Sequence, residues 1–147
     1  MRTLSVRVET QSQASPAALY RLLADARSWP HWSDLDECTP EGIAVGETER
    51  VGTVRRSRRG RTVGWDRTTV LDPDRTFGYQ HVKGLPVRDY VAAVELAPNL
   101  DGTTRLTWGA DFRPRIPGTG AILRRGIEKF LSDCVRGLAD HASNTAT

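Results

Sequence analysis

His81 is the residue of this chain best suited to move a proton near neutral pH, and Tyr79 stands two positions before it. In an extended segment that spacing puts both on one face. An imidazole on the wall of an apolar pocket could exchange a proton with an enolisable carbonyl compound. The hydroxyl of Tyr79 or Tyr90 could then hold the resulting oxyanion. A histidine near a strand end can equally be a hydrogen-bonded structural residue, so both readings stand. Arg67 is the fourth candidate. A guanidinium inside an apolar cavity needs a carboxylate or an anionic ligand; if its strand is turned the other way, Arg67 faces solvent. Trp65, Trp108, Phe112 and Phe130 are aromatic wall candidates for a planar or polyene ligand, and each would serve as plain core as well.

Other chemistries find no support. There is no Gly-x-Ser-x-Gly elbow, and Gly118-Thr119-Gly120 lacks the strand that a dinucleotide loop requires. His31, His81 and His141 match no zinc spacing, and neither do Cys38 and Cys134. The two cysteines read as reduced thiols, with Cys134 in the core. No metal and no cofactor is expected.

The net charge is +3, and Lys83 and Lys129 are the only lysines. Arg55-Arg56-Ser57-Arg58-Arg59-Gly60-Arg61 concentrates positive charge in a hairpin turn and its flanks. Such a run is solvated surface, a docking site for an acidic carrier protein, or a contact for RNA phosphates. No companion motif supports nucleic acid. No apolar run approaches the roughly 20 residues of a membrane span, and the first twelve residues alternate too strictly for a signal peptide. A cytoplasmic protein is expected.

The elements that must position these groups follow from periodicity. Leu4, Val6 and Val8 alternate with Ser5, Arg7 and Glu9 as in a half-buried strand. Ser15-Pro16 starts a short helix carrying Leu19, Tyr20, Leu22 and Leu23, with the hydroxyl as cap and proline at the first position. Asp25 and Ser28 open a second turn that Trp29-Pro30-His31-Trp32 closes. Turn signals then bound strands over Thr62–Leu71, Thr76–Lys83, Val87–Leu96 and Thr103–Phe112. On these, Phe77, Tyr79 and His81 share a face, as do Tyr90, Ala92, Val94 and Leu96, and Leu106, Trp108, Ala110 and Phe112. For Thr62–Leu71 the inward set is Val63, Trp65, Arg67, Thr69 and Leu71, with Asp66, Thr68 and Val70 as the competing set. Leu123, Ile127, Phe130, Leu131, Cys134, Val135, Leu138 and Ala142 define one long amphipathic helix after Pro117-Gly118. Gly126 and Gly137 interrupt it, either to leave ligand room or to pack closely on the sheet. Residues 143–147 should fray. The fold class is α+β: a curved antiparallel sheet of about seven strands around a long C-terminal helix, a helix-grip fold, within a single domain of residues 1–147.

With that order of elements, the chain resembles the START-like (Bet v 1-like, SRPBCC) superfamily, and within it the bacterial polyketide cyclase/dehydrase and lipid-transport family. The resemblance is carried by Ala14-Ser15-Pro16-Ala17-Ala18-Leu19-Tyr20, by Ser28-Trp29-Pro30-His31-Trp32, by Leu71-Asp72-Pro73-Asp74-Arg75-Thr76-Phe77 and by Asp101-Gly102-Thr103-Thr104-Arg105-Leu106-Thr107-Trp108. It implies a cavity between sheet and helix that takes a small hydrophobic or polyketide-like molecule. Aromatase/cyclases of this kind carry a Trp-Pro, here Trp29-Pro30, and a strand Trp, here Trp65. They also place an arginine where this chain has Thr69, two residues beyond Arg67. The resemblance implies a cyclase/dehydratase-type enzyme of secondary metabolism. A non-catalytic carrier of lipids or hydrophobic metabolites, and a protein-interaction module of co-chaperone or ribosome-associated type, are the alternatives. Dimers recur among similar proteins, and a homodimer is a candidate assembly.

Overall fold

A computed structural model describes residues 2–145. The chain runs through β1 (Leu4–Ser12), α1 (Pro16–Ala24), a 3-10 turn (Ala26–His31), β2 (Glu37–Pro40), β3 (Val54–Arg59), β4 (Thr62–Asp72), β5 (Thr76–Lys83), β6 (Val87–Pro98), β7 (Thr104–Pro114) and α2 (Gly120–Thr145). The seven strands form one antiparallel sheet in the order β1-β7-β6-β5-β4-β3-β2. Sequence neighbours pair from β2 to β7. Only β1 crosses over, and it closes the far edge against β7 with Val6 opposite Ala110.

The local causes are those the sequence carries. Ser15 caps α1 by accepting from the Ala18 N–H at 3.2 Å, and Pro16 occupies the first turn. Asp25 caps the 3-10 turn through the Arg27 N–H. β1 extends through the polar residues Thr10, Gln11 and Ser12. It does so because the Ser12 hydroxyl is buried and donates to the Ala139 carbonyl of α2 at 2.8 Å. At the chain's end α2 remains helical to Thr145 where fraying was expected, while residues 146–147 lie outside the described residues.

The inner faces of β5, β6 and β7 carry the anticipated residues. Phe77, Tyr79, Tyr90, Ala92, Val94, Leu96, Leu106, Trp108, Ala110 and Phe112 are all buried. They meet Leu19 and Leu23 of α1, and Leu131, Cys134, Val135 and Leu138 of α2. Trp29 and Trp32 wedge in at 4.6 Å from each other, and Trp29 meets the Trp108 ring edge-on at 5.6 Å.

β4 departs from simple alternation. Leu71 lies opposite Phe77, but the next inward residue of β5, Tyr79, lies opposite Thr68, so Thr69 is the extra residue of a β-bulge. Beyond it every side chain changes face. Asp66 and Thr68 turn inward; Trp65 and Arg67 turn outward. Gly78 accommodates the bulge, since a Cβ there would sit 3.0 Å from Val70 and 3.2 Å from the Thr69 hydroxyl. The expected inward set therefore holds at Leu71 and reverses toward the β3–β4 hairpin.

Helix α2 packs on β1, β7 and α1, and its first half stands away from β3 and β4. The two glycines in its interior, Gly126 and Gly137, have different causes. A Cβ at Gly137 would meet the Trp32 carbonyl oxygen at 1.9 Å, so only glycine permits the helix to lie against that backbone. At Gly126 a Cβ would meet nothing within 4 Å. Gly137→Ala should therefore lose about 1–3 kcal/mol of stability, whereas Gly126→Ala should gain up to about 1 kcal/mol from helix propensity. Urea unfolding of the two variants measures the difference, and equal midpoints would contradict this account of α2.

Candidate functional site

Because the first half of α2 stands off the sheet, a cavity of about 510 Å³ lies between them. Its helix side is apolar, formed by Ile122, Leu123, Ile127 and Phe130, with Gly126 leaving a gap in the wall. Leu35, Leu85 and Pro86 add loop contacts, and Trp29 and Phe77 form part of the lining. The polar groups are confined to the strand side.

Asp66, His81 and Arg55 fall into one row because the register puts Arg55 opposite Asp66 and Asp66 opposite His81. His81 Nδ1 lies 2.9 Å from Asp66 Oδ1, and the Leu85 N–H donates to His81 Nε2 at 3.1 Å. A nitrogen that accepts carries no proton, so the hydrogen sits on Nδ1 and is donated to the carboxylate. Both imidazole nitrogens are engaged and the side chain is 5% exposed. Asp66 is the more open partner, with 29% of its side chain exposed and its second oxygen directed to no partner among the described residues.

Tyr79 and Tyr90 complete the polar wall. The Trp108 indole N–H donates to the Tyr79 oxygen at 3.2 Å. The Tyr90 ring lies 6.2 Å from that of Tyr79 and lines the cavity beside it. Tyr90 reaches this position through a further irregularity of the sheet. The β6–β7 register shifts between Arg88 and Val91, with Asp89 at φ 52°, and the Tyr90 ring stacks on Phe112 at 5.9 Å. Burial pushes both phenols above the ordinary tyrosine value. They are neutral donors throughout the physiological range.

The candidates named from sequence separate accordingly. Tyr79, His81, Tyr90, Trp29 and Phe130 line the cavity. Trp108 and Phe112 are fully buried behind the tyrosines and support them instead of forming the wall. Trp65, Arg67 and Thr69 do not face the cavity, because the bulge at Thr69 turns that stretch of β4 outward. Trp65 is covered on the outer surface by Lys83, 4.5 Å from its ring centroid, and by Arg56. Neither Trp65 nor Trp108 fills the cavity.

The sequence groups Arg55 with its neighbours in a basic hairpin at the surface, whether solvated or docking a partner. Instead it is buried, its Nε donates to Glu49 Oε1 at 2.8 Å, and an Nη donates to the Leu23 carbonyl at 2.9 Å. Glu49 Oε2 accepts the Ala26 N–H at 2.7 Å. The guanidinium also lies over the rings of Phe77 and Trp29, at 4.7 and 5.3 Å. The tract is a strand with two faces: Arg55, Ser57 and Arg59 line the cavity, while Arg56 and Arg58 pair outside with Glu37 and Asp36. An alternating read of Val54–Arg59 could have found this. Asp66 was visible only as the competing face of β4.

Residues 3–143 match the family model described as polyketide cyclase / dehydrase and lipid transport. No curated protein matches the sequence. Among solved structures, a START superfamily protein from Mycobacterium smegmatis superposes with a TM-score of 0.79 at 13% identity, over 97% of this chain and 99% of that one. XoxI from Bacillus cereus gives 0.77 at 16% identity, over 99% and 98%. An uncharacterized protein from Bacillus thuringiensis gives 0.76 at 16% identity, over 95% and 98%. At such identities these likenesses establish the fold, the START-type helix-grip. Among the described residues, no helix is long and apolar enough to cross a membrane.

Two outcomes follow from the buried polar groups. Arg55→Met alone should cost about 3–5 kcal/mol, because Glu49 is left buried and uncompensated, while the double variant Arg55→Met/Glu49→Leu should recover most of it. Denaturant midpoints of the single and double variants check this, and additive losses would sink it. The raised phenols give the second. Unfolded tyrosines ionise near pH 10 and the folded ones only above that, so this contribution to stability is complete below about pH 10 and is lost as pH rises further. The phenolate absorbance of Tyr79 and Tyr90 should thus appear together with alkaline unfolding and not before it, whereas Tyr20, raised mainly by partial burial, remains open to ionisation in the folded protein.

Proposed function

The chain belongs to the polyketide cyclase/dehydrase and lipid-transport family, whose description supports a hydrophobic-ligand-binding role, and from that premise we propose that it acts as a cyclase- or dehydratase-type enzyme on an apolar carbonyl compound. The observation that carries the reading is the convergence of Asp66–His81 and Tyr79–Tyr90 on the strand side of one largely apolar cavity. A site for passive storage has no need of a carboxylate in its wall, where an unpaired charge is costly.

In the proposed reaction the free oxygen of Asp66 takes a proton from the carbon next to a substrate carbonyl, breaking that C–H bond. His81, tethered at both nitrogens, is the positioning residue that holds the carboxylate. The electron pair moves onto the carbonyl oxygen, and the Tyr90 O–H hydrogen-bonds the enolate as it forms. The enolate carbon attacks a second carbonyl of the same chain, forming the new C–C bond. The alkoxide so produced recovers the proton from Asp66. Where aromatisation follows, the hydroxyl leaves as water together with a neighbouring proton. The apolar wall would supply rate by holding the chain folded on itself. Arg67, proposed from sequence as a participating charge, has no part in this scheme.

The test begins with N-phenyl-1-naphthylamine, a neutral fluorescent probe of the cavity. Proton–deuterium exchange at the α-carbon is then followed by NMR in D₂O for a panel of methyl ketones from acetone to 2-acetylnaphthalene. Exchange faster than buffer is expected for the aryl members. Asp66→Asn should return it to the buffer rate, and Tyr90→Phe should slow it by about 10²–10³, with probe affinity retained in both. Probe binding without accelerated exchange would favour the non-catalytic carrier, for which the apolar helix wall is the supporting observation.

A further inference from the structure

The cavity's charges are arranged unevenly between its interior and its mouth. Inside, Arg55 is neutralised by Glu49, and the neighbouring Asp66 carboxylate repels any anion brought against the strand wall. At the mouth, Arg59 ends β3 with its guanidinium 5.3 Å from the Phe130 ring centroid of α2, bridging the opening. Arg55, Arg56 and Arg58 each have a carboxylate partner, whereas Arg59 forms no ion pair among the described residues. The nearby acids are already engaged. Asp36 accepts from Arg58 and the Gly60 N–H, Glu37 pairs with Arg56 and Arg58, and Asp133 takes Lys129 at 2.8 Å. The guanidinium lies over Phe130 and its N–H groups donate to no partner among the described residues, which leaves them for a two-pronged contact with carboxylate or phosphate. Arg61, on the same hairpin, and Arg125, one turn from Ile122 on α2, add two exposed cations that also lack ion pairs among the described residues. Ile122, at the rim, is 78% exposed.

We infer that the ligand is an amphiphilic anion, bound with its apolar body inside the cavity and its anionic group held at the mouth against Arg59. The inference rests on the cavity-binding part of the reading above and not on its chemistry. It assigns the ligand both a class and an orientation: the end nearest Asp66 and Tyr90 is neutral, and the end that leaves the cavity carries the charge.

Displacement of N-phenyl-1-naphthylamine by dodecanoate, dodecyl phosphate and dodecan-1-ol, below their micellar concentrations, compares one chain with three head groups. At low salt the two anions should displace the probe at about tenfold lower concentration than the alcohol, as expected for one charge-assisted contact. Raising the salt should shrink the gap. Arg59→Gln should abolish the preference and leave dodecanol unchanged, while Arg56→Gln, on the outer face, should keep it. Whichever anion is the stronger distinguishes a carboxylate-ended ligand from a phosphate-ended one. Equal potency of alcohol and anions, or a preference that survives Arg59→Gln, overturns the inference. A probe that fails to bind overturns it together with cavity binding itself. Ketone exchange that fails while the head-group preference holds removes only the proposed chemistry.

Discussion

The buried pair Arg55–Glu49 is the contact on which the arrangement of this protein depends. Glu49 comes from the long β2–β3 connection and Arg55 from β3, yet their remaining hydrogen bonds go elsewhere: to the Leu23 carbonyl in the last turn of α1 and to the Ala26 N–H that opens the 3-10 turn. Those are groups that a helix leaves without partners at its ends. One ion pair thus ends one helix, begins the next turn, and ties both to the sheet. The rings of Trp29 and Phe77 pack against the same guanidinium. Charges taken out of water at this cost persist because each hydrogen bond is satisfied, and the floor of the cavity is rigid as a result.

On that floor the molecule separates two tasks between the halves of one helix. The second half of α2 seals the core through Leu131, Cys134, Val135 and Leu138. The first half contributes Leu123, Ile127 and Phe130 to open space, each only partly buried. Apolar side chains held over a cavity forgo part of the contact energy a filled core would give. A hydrophobic ligand restores that contact, which ties affinity and local stability together at this wall.

Most of the architecture was legible in the sequence because period and punctuation agreed. Ser15-Pro16, the strand alternation of Val87–Leu96 and Thr103–Phe112, and the helical stripe from Leu123 to Ala142 each have one stable interpretation. The site was legible where the inward set of a strand could be read by alternation, as at Tyr79 and His81, and at Tyr90 because Ala92, Val94 and Leu96 continue its face. On β4 an extra residue reverses the face, and nothing in Thr68-Thr69-Val70 announces it, since β-branched residues suit either side of a sheet. Asp66 was hidden by that reversal, and Arg55 by sitting among arginines that do face water. Both are cases in which the partner, His81 in one and Glu49 in the other, decides what the residue does, and such partners are not given by local pattern.

The contact at Gly137 also gives the molecule a fulcrum. Eleven positions separate it from Gly126, a lever arm of about 16 Å at helical rise. The pinned end is backbone against backbone and cannot slide without losing the core. Room for ligands of different girth therefore lies with the part of α2 ahead of Leu131, least beside the sealed core and greatest at Ile122. Breadth of accepted ligands is then governed mechanically, by how far the free end lifts, and the aromatic interior need not rearrange at all.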